Sequence, residues 1–321
     1  MPKISVVIPA YNAMAYLPET IANLLSQTFD DFEVIVVNDG SSDETEQWVS
    51  QISDPRVQLV SQENQGLAGA RNTGIANAQG EYIAFLDADD LWEATKLEKQ
   101  MRVLEENPEV GVVYTWVAYI DENGESTGRV FKHQAEGEVW KNLAERNIVE
   151  CGSVAMVRRC CFETVGVFDR NLRSFVEDWD MWLRIASRYP FKVVKEPLVY
   201  YRQCSSSASR NWEAMAQSFR IVIEKAFATA LPELQYLKKR SYGFANFCLA
   251  WKALQSLQKD YKKAIHFRQQ ALADCPWLRF SKEYIRLSLA IAVMQGFGAE
   301  SYSRLLVILH SLRRRIIPIG R

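Results

Sequence analysis

Residues 82–90 read Tyr82-Ile-Ala-Phe-Leu-Asp-Ala-Asp-Asp90. Residues 82–86 form an unbroken apolar run, which predicts a strand buried on both faces. The run stops abruptly at carboxylates. Alternate residues of an extended segment face the same side, so Asp87 and Asp89 converge across Ala88. Two carboxylates held together repel unless a cation or a shared proton relieves them. A hard divalent ion, Mg2+ or Mn2+, with room left for phosphate oxygens, suits such a pair. It would neutralise charge on a leaving diphosphate. The competing reading is an Asp that caps a helix, which fits Asp90 before Leu91-Trp-Glu93.

Outward from this strand the chain alternates. Apolar runs at 4–8, 33–37, 57–60 and 110–117 predict four more strands. Helical spacing predicts helices over 15–27, 44–52, 67–78 and 95–106. Strand–helix alternation with apolar strands predicts a parallel sheet covered on both faces. In open α/β sheets ligands sit beyond the carboxyl ends of the strands, and other ends here are polar too. Pro9-Ala-Tyr-Asn12 follows the first strand. Asn38-Asp-Gly-Ser-Ser-Asp43 follows the second, with Asp39 beside the flexible Gly40, and Ser41 with Glu44 spaced as a capping box. Asn64-Gln-Gly-Leu-Ala-Gly-Ala-Arg-Asn72 follows the third; its glycines permit close backbone approach and Arg71 suits a phosphate. A second carboxylate pair, Glu177-Asp178, opens a helix carrying Leu183 and Ile185. It reads either as a general base with its neighbour or as an N-cap with a dipole partner.

These segments together resemble the family 2 glycosyltransferases of the GT-A fold. The matching stretches are Val6-Val-Ile-Pro-Ala-Tyr-Asn12, Glu33-Val-Ile-Val-Val-Asn-Asp-Gly-Ser-Ser-Asp43, Gly66-Leu-Ala-Gly-Ala-Arg-Asn-Thr-Gly74, Ile83-Ala-Phe-Leu-Asp-Ala-Asp-Asp90 and Glu177-Asp-Trp-Asp-Met-Trp-Leu-Arg184, in order across residues 3–202. The resemblance implies an α/β GT-A fold with a mostly parallel central sheet. It implies that Pro9, Ala10 and Tyr11 line a nucleotide pocket, that Asp39 accepts a hydrogen bond from a base, typically uracil, and that Arg71 lies against the nucleotide. Asp87 would hold the ribose or the metal's water shell, Asp89 would ligate the metal, and Ala88 between them falls in the donor-binding set. Asp178 resembles the base that deprotonates an acceptor hydroxyl, with Glu177 on the acceptor side. Arg202 would reach the diphosphate from a loop that closes. Many relatives carry a His two residues after that Arg; here Cys204 stands there, and a thiol is a poor Mg2+ ligand.

Acceptor choice is expected to lie in 119–176, especially Gly152-Ser-Val-Ala-Met156 and Val165-Gly-Val-Phe-Asp169. Trp140, Trp179 and Trp182 suit either sugar faces or the core.

The chain has 321 residues and a net charge of −1, but that figure is a cancellation. Residues 1–204 hold 19 basic and 32 acidic side chains; residues 205–321 hold 19 and 7. The chain divides on this reading into a transferase domain, 1–208, and a basic all-α region, 209–321, with the boundary in Ser205-Ser-Ser-Ala-Ser209. Residues 261–276 resemble the second helix of a tetratricopeptide repeat, and read equally as one hairpin. The basic terminus Arg313-Arg-Arg-Ile-Ile-Pro-Ile-Gly-Arg321 suits an anionic membrane surface, a frayed end, or a contact with the acidic part. No reader motif points to nucleic acid. No GxGxxG or GxxxxGK[ST] is present, so dehydrogenase and P-loop readings lack support. With no secretory-type apolar run and six cysteines without CxxC spacing, the expected place is the cytosol, against the inner membrane face. The expected activity is inverting transfer from a nucleotide-diphosphate sugar, UDP-linked, to a glycan or lipid-linked hydroxyl. The rivals are a non-catalytic nucleotide-sugar-binding scaffold and a nucleotidyltransferase.

Overall fold

The computed structural model describes residues 1–172, 176–204, 212–256 and 259–316. The chain divides into two compact units. One comprises Met1–Glu125, Arg129–Trp140 and Ile148–Gln203; the other comprises Ser126–Gly128, Lys141–Asn147 and Cys204–Arg321. The expected boundary at 205–209 lies outside the described residues.

The first unit is built on β1 (Ile4–Ala10), β2 (Phe32–Asp39), β3 (Val57–Gln62), β4 (Tyr82–Phe85), β5 (Leu91–Trp92), β6 (Val112–Ile120), the second half of β7 (Ser126–Phe131), β8 (Met156–Arg158) and β9 (Phe191–Arg202). Their order in the sheet is β3-β2-β1-β4-β8-β6-β9-β5, with β7 paired to β6. Strands β1 to β4 are mutually parallel, as their apolar runs predict. Every residue of β1 is buried, which Val and Ile tolerate on both faces.

Beyond β4 the sheet departs from a purely parallel pattern. The three-residue β8 enters antiparallel between β4 and β6. Two consequences place the site. The chain just before Met156 lies beyond the carboxyl end of β4. Strand β9, parallel to β6, brings its own carboxyl end to the same edge. The expected short elements at 191–194 and 198–201 are one strand, β9. Its register slips opposite Trp116, whose partner is Pro197, a residue with no N–H for the ladder.

The helices of this unit are α1 (Leu17–Leu25), α2 (Thr45–Ser50), α3 (Gly66–Asn77), α4 (Lys96–Glu106), α5 (Trp140–Glu145, shared with the second unit), α6 (Arg159–Val165) and α7 (Glu177–Ala186). The expected capping box at Ser41 is absent. Helix α2 starts after Glu44, and the Ser41 hydroxyl instead accepts the Asn12 N–H at 3.0 Å, tying two strand-end loops together. Helix α3 lies hard against β1: a Cβ on Gly74 would stand 2.1 Å from Val7 Cγ1. Trp179 and Trp182 are buried in the core, and Trp140 is half-buried.

The second unit is helical: α8 (Trp212–Ala228), α9 (Leu237–Gln255), α10 (Tyr261–Asp274) and α11 (Lys282–Ile316), with a tight turn at Pro276–Phe280. Asp260 caps α10 by accepting the Lys263 N–H at 2.9 Å. Helices α9 and α10 form a close pair, because a Cβ on Gly243 would meet Cys275 Cβ at 2.6 Å. Helix α11 is interrupted at Gly298, whose φ of 80° only glycine adopts freely. No helix among the described residues is long and apolar enough to cross a membrane.

Candidate active site

The carboxyl ends of β1, β2, β4 and β9 converge, and one buried cation organises the result. Arg71, carried by α3, is 1% exposed. Its Nη2 donates to Asp87 at 2.7 Å and its Nη1 donates to Glu177 at 2.6 Å. The guanidinium lies over the rings of Phe168 and Phe85. It therefore links the end of β4 to the first residue of α7. Small residues make this reach feasible. Ala68, Gly69, Ala70 and Gly74 let α3 sink onto the sheet. Gly152, in the segment before β8, leaves room on the other side: a Cβ there would stand 2.4 Å from Arg71 Nη2.

The three aspartates after β4 have different surroundings. Asp87 is partly exposed and bound to Arg71. Asp89 is half-buried, and its carbonyl accepts from Arg202 Nε at 2.8 Å. Asp90 is fully buried; it accepts from Ser153 Oγ at 2.6 Å and from the Arg202 N–H at 3.0 Å. It precedes strand β5 rather than a helix, so the helix-cap reading fails. Burial, then the charges of Asp89 and Asp87, push its carboxyl well above the usual range, while Ser153 and Arg202 pull it back. Thr20 of α1 donates to the Ala88 and Asp90 carbonyls at 3.0 and 3.1 Å, which fixes the turn.

Arg202 is the last residue of β9, not a loop residue. It is 3% exposed, pairs with Glu19 at 2.7 Å, donates to the Glu122 carbonyl and covers the Tyr16 ring. In this arrangement the guanidinium is held by Glu19 and by the Asp89 and Glu122 carbonyls. Pro9 and Ala10 are buried within β1, whereas Tyr11 is 57% exposed beyond it. Asp39 is buried, and its Oδ1 accepts from Gln62 Nε2 at 2.6 Å and from the Gln65 N–H at 2.8 Å. Cys204 is buried.

Glu177 and Asp178 open α7 after Val176, which holds a left-handed φ of 53°. Their charge favours the positive end of the helix dipole. Asp178 is half-buried; Glu177 is 3% exposed. Burial first, then Asp178 and Asp87, push Glu177 up to about 7, against Arg71. For Arg71 burial acts downward, but Asp87, Glu177 and Asp178 outweigh it and the net direction is up. One guanidinium thus serves three carboxylates, and negative charge is left in excess. Asp87 and Asp89 offer hard oxygens at that excess, which fits Mg2+ or Mn2+. Among the described residues no group of three His, Cys, Asp or Glu is placed to hold a metal ion. A divalent ion here would complete its shell with water and phosphate oxygens.

Sequence reasoning missed Ser153 and the packing role of Gly152, both in a segment expected to select an acceptor. Their signal is the small-residue pair itself, which allows close approach only once its neighbour is known. Gly152→Ala is expected to displace Arg71 and cost about 1–3 kcal/mol, read as a lower melting temperature. Gly296→Ala, helical and with nothing within 4 Å of the new Cβ, is the matched control and is expected to leave the temperature level or higher.

Residues 5–166 match the family model described as Glycosyl transferase family 2. A Bacillus subtilis (strain 168) glycosyltransferase, TuaG, provisionally assigned to teichuronic acid biosynthesis, is 31% identical over 228 residues, covering 70% of this chain and 88% of that one. A Rickettsia bellii protein described as an uncharacterized glycosyltransferase is 36% identical over 189 residues, 58% of this chain and 26% of its own length. The chain likewise spans 43% of its Rickettsia felis relative. Among solved structures, S. aureus TarS in complex with UDP superposes with a TM-score of 0.60 at 17% identity, covering 99% of this chain and 93% of that one. The mannosyltransferase PcManGT from Pyrobaculum calidifontis, solved with GDP-Man and Mn2+, gives 0.59 at 19% identity, covering 99% and 88%. At such identities the likeness speaks to fold, and that fold is GT-A.

Proposed function

The chain belongs to glycosyl transferase family 2, and from that premise we propose that it transfers a sugar with inversion from a UDP-sugar to a hydroxyl of a cell-envelope glycan or lipid-linked acceptor. The observation that carries this reading is the position of Arg71. It touches Asp87 on the donor side and Glu177 beside Asp178 on the other, at 2.7 and 2.6 Å. On this reading a base and a donor-binding carboxylate are tied to one guanidinium.

In the proposed reaction the acceptor oxygen attacks the anomeric carbon, the bond from that carbon to the diphosphate oxygen breaks, and the acceptor proton passes to Asp178. Opposite-face attack inverts the centre and needs one base and no covalent intermediate. Glu177 and Arg71 hold the start of α7 in place. Asp87 and Asp89 would hold a divalent ion, which supplies charge neutralisation for the leaving diphosphate when bound. Pro9, Ala10, Tyr11 and Asp39 are assigned to the nucleotide, Ala88 to the ribose side, and Arg202 to holding Asp89 and Asp90. The TarS likeness with UDP and the teichuronic acid assignment of TuaG support the donor and acceptor classes; the GDP-Man of PcManGT marks the competing donor. The basic terminus at 313–321 is assigned to an anionic membrane surface; residues 317–321 lie outside the described residues.

A donor screen by thermal shift, with and without Mn2+, tests the reading. Ligand at ~100 times its Kd stabilises by about 2.7 kcal/mol, a shift of several degrees. The expected pattern is a Mn2+-dependent shift with UDP-sugars. A shift with GDP-sugars alone would overturn the assignment of Asp39 to uracil, and a donor shift with no turnover of that donor in a parallel assay would favour a binding scaffold.

A further inference from the structure

Between Trp277 and Phe297 the helical unit presents several large apolar side chains to solvent. Trp277 and Phe280, in the turn at Pro276–Phe280, are 46% and 81% exposed. On α11, Ile285 and Leu289 are 50% and 62% exposed, and Phe297 is 76% exposed. Positions 285, 289, 292 and 296 repeat with helical spacing, and Ala292 and Gly296 are exposed too. The opposite side of the same helix, with Leu287, Ile291 and Met294, is buried. Over residues 285–296 helix α11 is therefore apolar on its inner and its outer face. No charged residue stands between Arg286 and Glu300. Isolated exposed apolar residues need no cause, but a cluster of this size does.

The border of the patch states what covers it. Arg279, Lys282 and Arg286 are exposed around its start, with Glu283 the one carboxylate among them. Glu300 and the exposed Arg304 lie past its far end. Residues 205–321 as a whole carry a net charge of +12. A second copy meeting this patch about a two-fold axis would set the same cations against one another. An anionic surface with an apolar layer beneath it satisfies both parts at once. Aromatic and aliphatic side chains enter the boundary of headgroups and acyl chains, and the cations meet phosphates.

We propose that residues 277–297 are an interfacial anchor that seats the helical unit on an anionic lipid surface. This rests on and deepens the membrane contact assigned above: to the terminal arginines it adds the turn before α11 and the first part of that helix.

Co-sedimentation of the full chain with phosphatidylcholine vesicles, with and without phosphatidylglycerol, tests the anchor. Binding is expected only with phosphatidylglycerol and is expected to weaken with added salt. The pair Phe280→Ser and Leu289→Ser is expected to weaken it by about ten-fold or more, since each removes a large apolar side chain from the lipid boundary. The triple change Arg279→Gln, Lys282→Gln and Arg286→Gln is expected to weaken it as well. Both sets are exposed, so the melting temperature and the Mn2+-dependent donor shift should stay as in the parent. Undiminished binding in the Phe280/Leu289 pair would overturn the anchor, as would loss of binding only on removing residues 313–321. Self-association that disappears in that pair, with no vesicle binding in the parent, would assign the patch to a second copy. Vesicle binding without any donor shift would sink the transfer reading and leave the anchor standing.

Discussion

Asp178→Asn is expected to abolish transfer while leaving the donor bound. Asp178 is half-buried in the first turn of α7, at the positive end of the helix dipole. Its charge is also felt by Arg71 and Glu177, so it belongs to the same electrostatic cluster as Asp87. Asparagine keeps the shape of the side chain. Its Oδ1 can still accept the Trp179 N–H, which Asp178 accepts at 2.7 Å. It cannot take a proton from an acceptor hydroxyl. Loss of a positioned general base lowers the rate by about 10²–10⁴, and the donor-side residues are untouched. Turnover of a UDP-sugar in the presence of Mn2+ is the readout for kcat, and the thermal shift with the same donor is the readout for binding. A variant that turns over at the parent rate would remove Asp178 from the mechanism. A variant that loses the donor shift as well would place Asp178 on the donor side.

The strand ends were legible because β1, β2 and β4 are largely buried on both faces, which writes them as mostly apolar runs that stop at Pro9, Asn38 and Asp87. The short elements were not. Strand β8 is three residues and β5 is two, and neither length carries a period. Yet β8 reverses direction beside β4 and delivers Gly152 and Ser153 to the aspartates. The sequence set Asp90 apart from Asp87 and Asp89 only as a helix cap; that it is buried and held by Ser153, 63 residues away, is not written in its neighbours. The Ser41 reading failed for a related reason. Its spacing to Glu44 is that of a local cap, but the hydroxyl is taken by Asn12 from the neighbouring loop. Arg202 likewise occupies a strand end because β9 runs unbroken past Pro197, where the sequence reads as two pieces. The two carboxylate pairs were each visible, but their connection through Arg71, 106 residues from Glu177, is a property of the fold alone.

Arg71→Met is expected to be the most destabilising single change at the site. Removing one partner of a buried ion pair costs about 3–5 kcal/mol, because the other charge stays buried without compensation. Here two carboxylates lose their cation together, and Glu177 is 3% exposed. Methionine fills much of the volume, so the packing against Phe85 and Phe168 is retained in part. The expected fall in melting temperature is on the order of 10 °C. Glu177→Gln is expected to cost far less, since Arg71 keeps Asp87. In the double variant Arg71→Met, Glu177→Gln the buried charge is gone on both sides. Its loss is expected to be smaller than the sum of the single losses by about 1–3 kcal/mol. The pH dependence separates this pair from a generic packing defect. Glu177 is raised from its ordinary value of 4.5 to about 7, first by burial. A raised carboxyl contributes stability that is fully present below 4.5 and lost as the pH climbs through about 7. Glutamine has no proton to lose. Measured from pH 4.5 to pH 8, the melting temperature of Glu177→Gln is therefore expected to gain on that of the parent. A gap that stays flat, or widens in the parent's favour, would mean that Arg71 holds Glu177 ionised throughout. The carboxylate would then be a permanent strut for α7 rather than a group that shares its charge with Asp178.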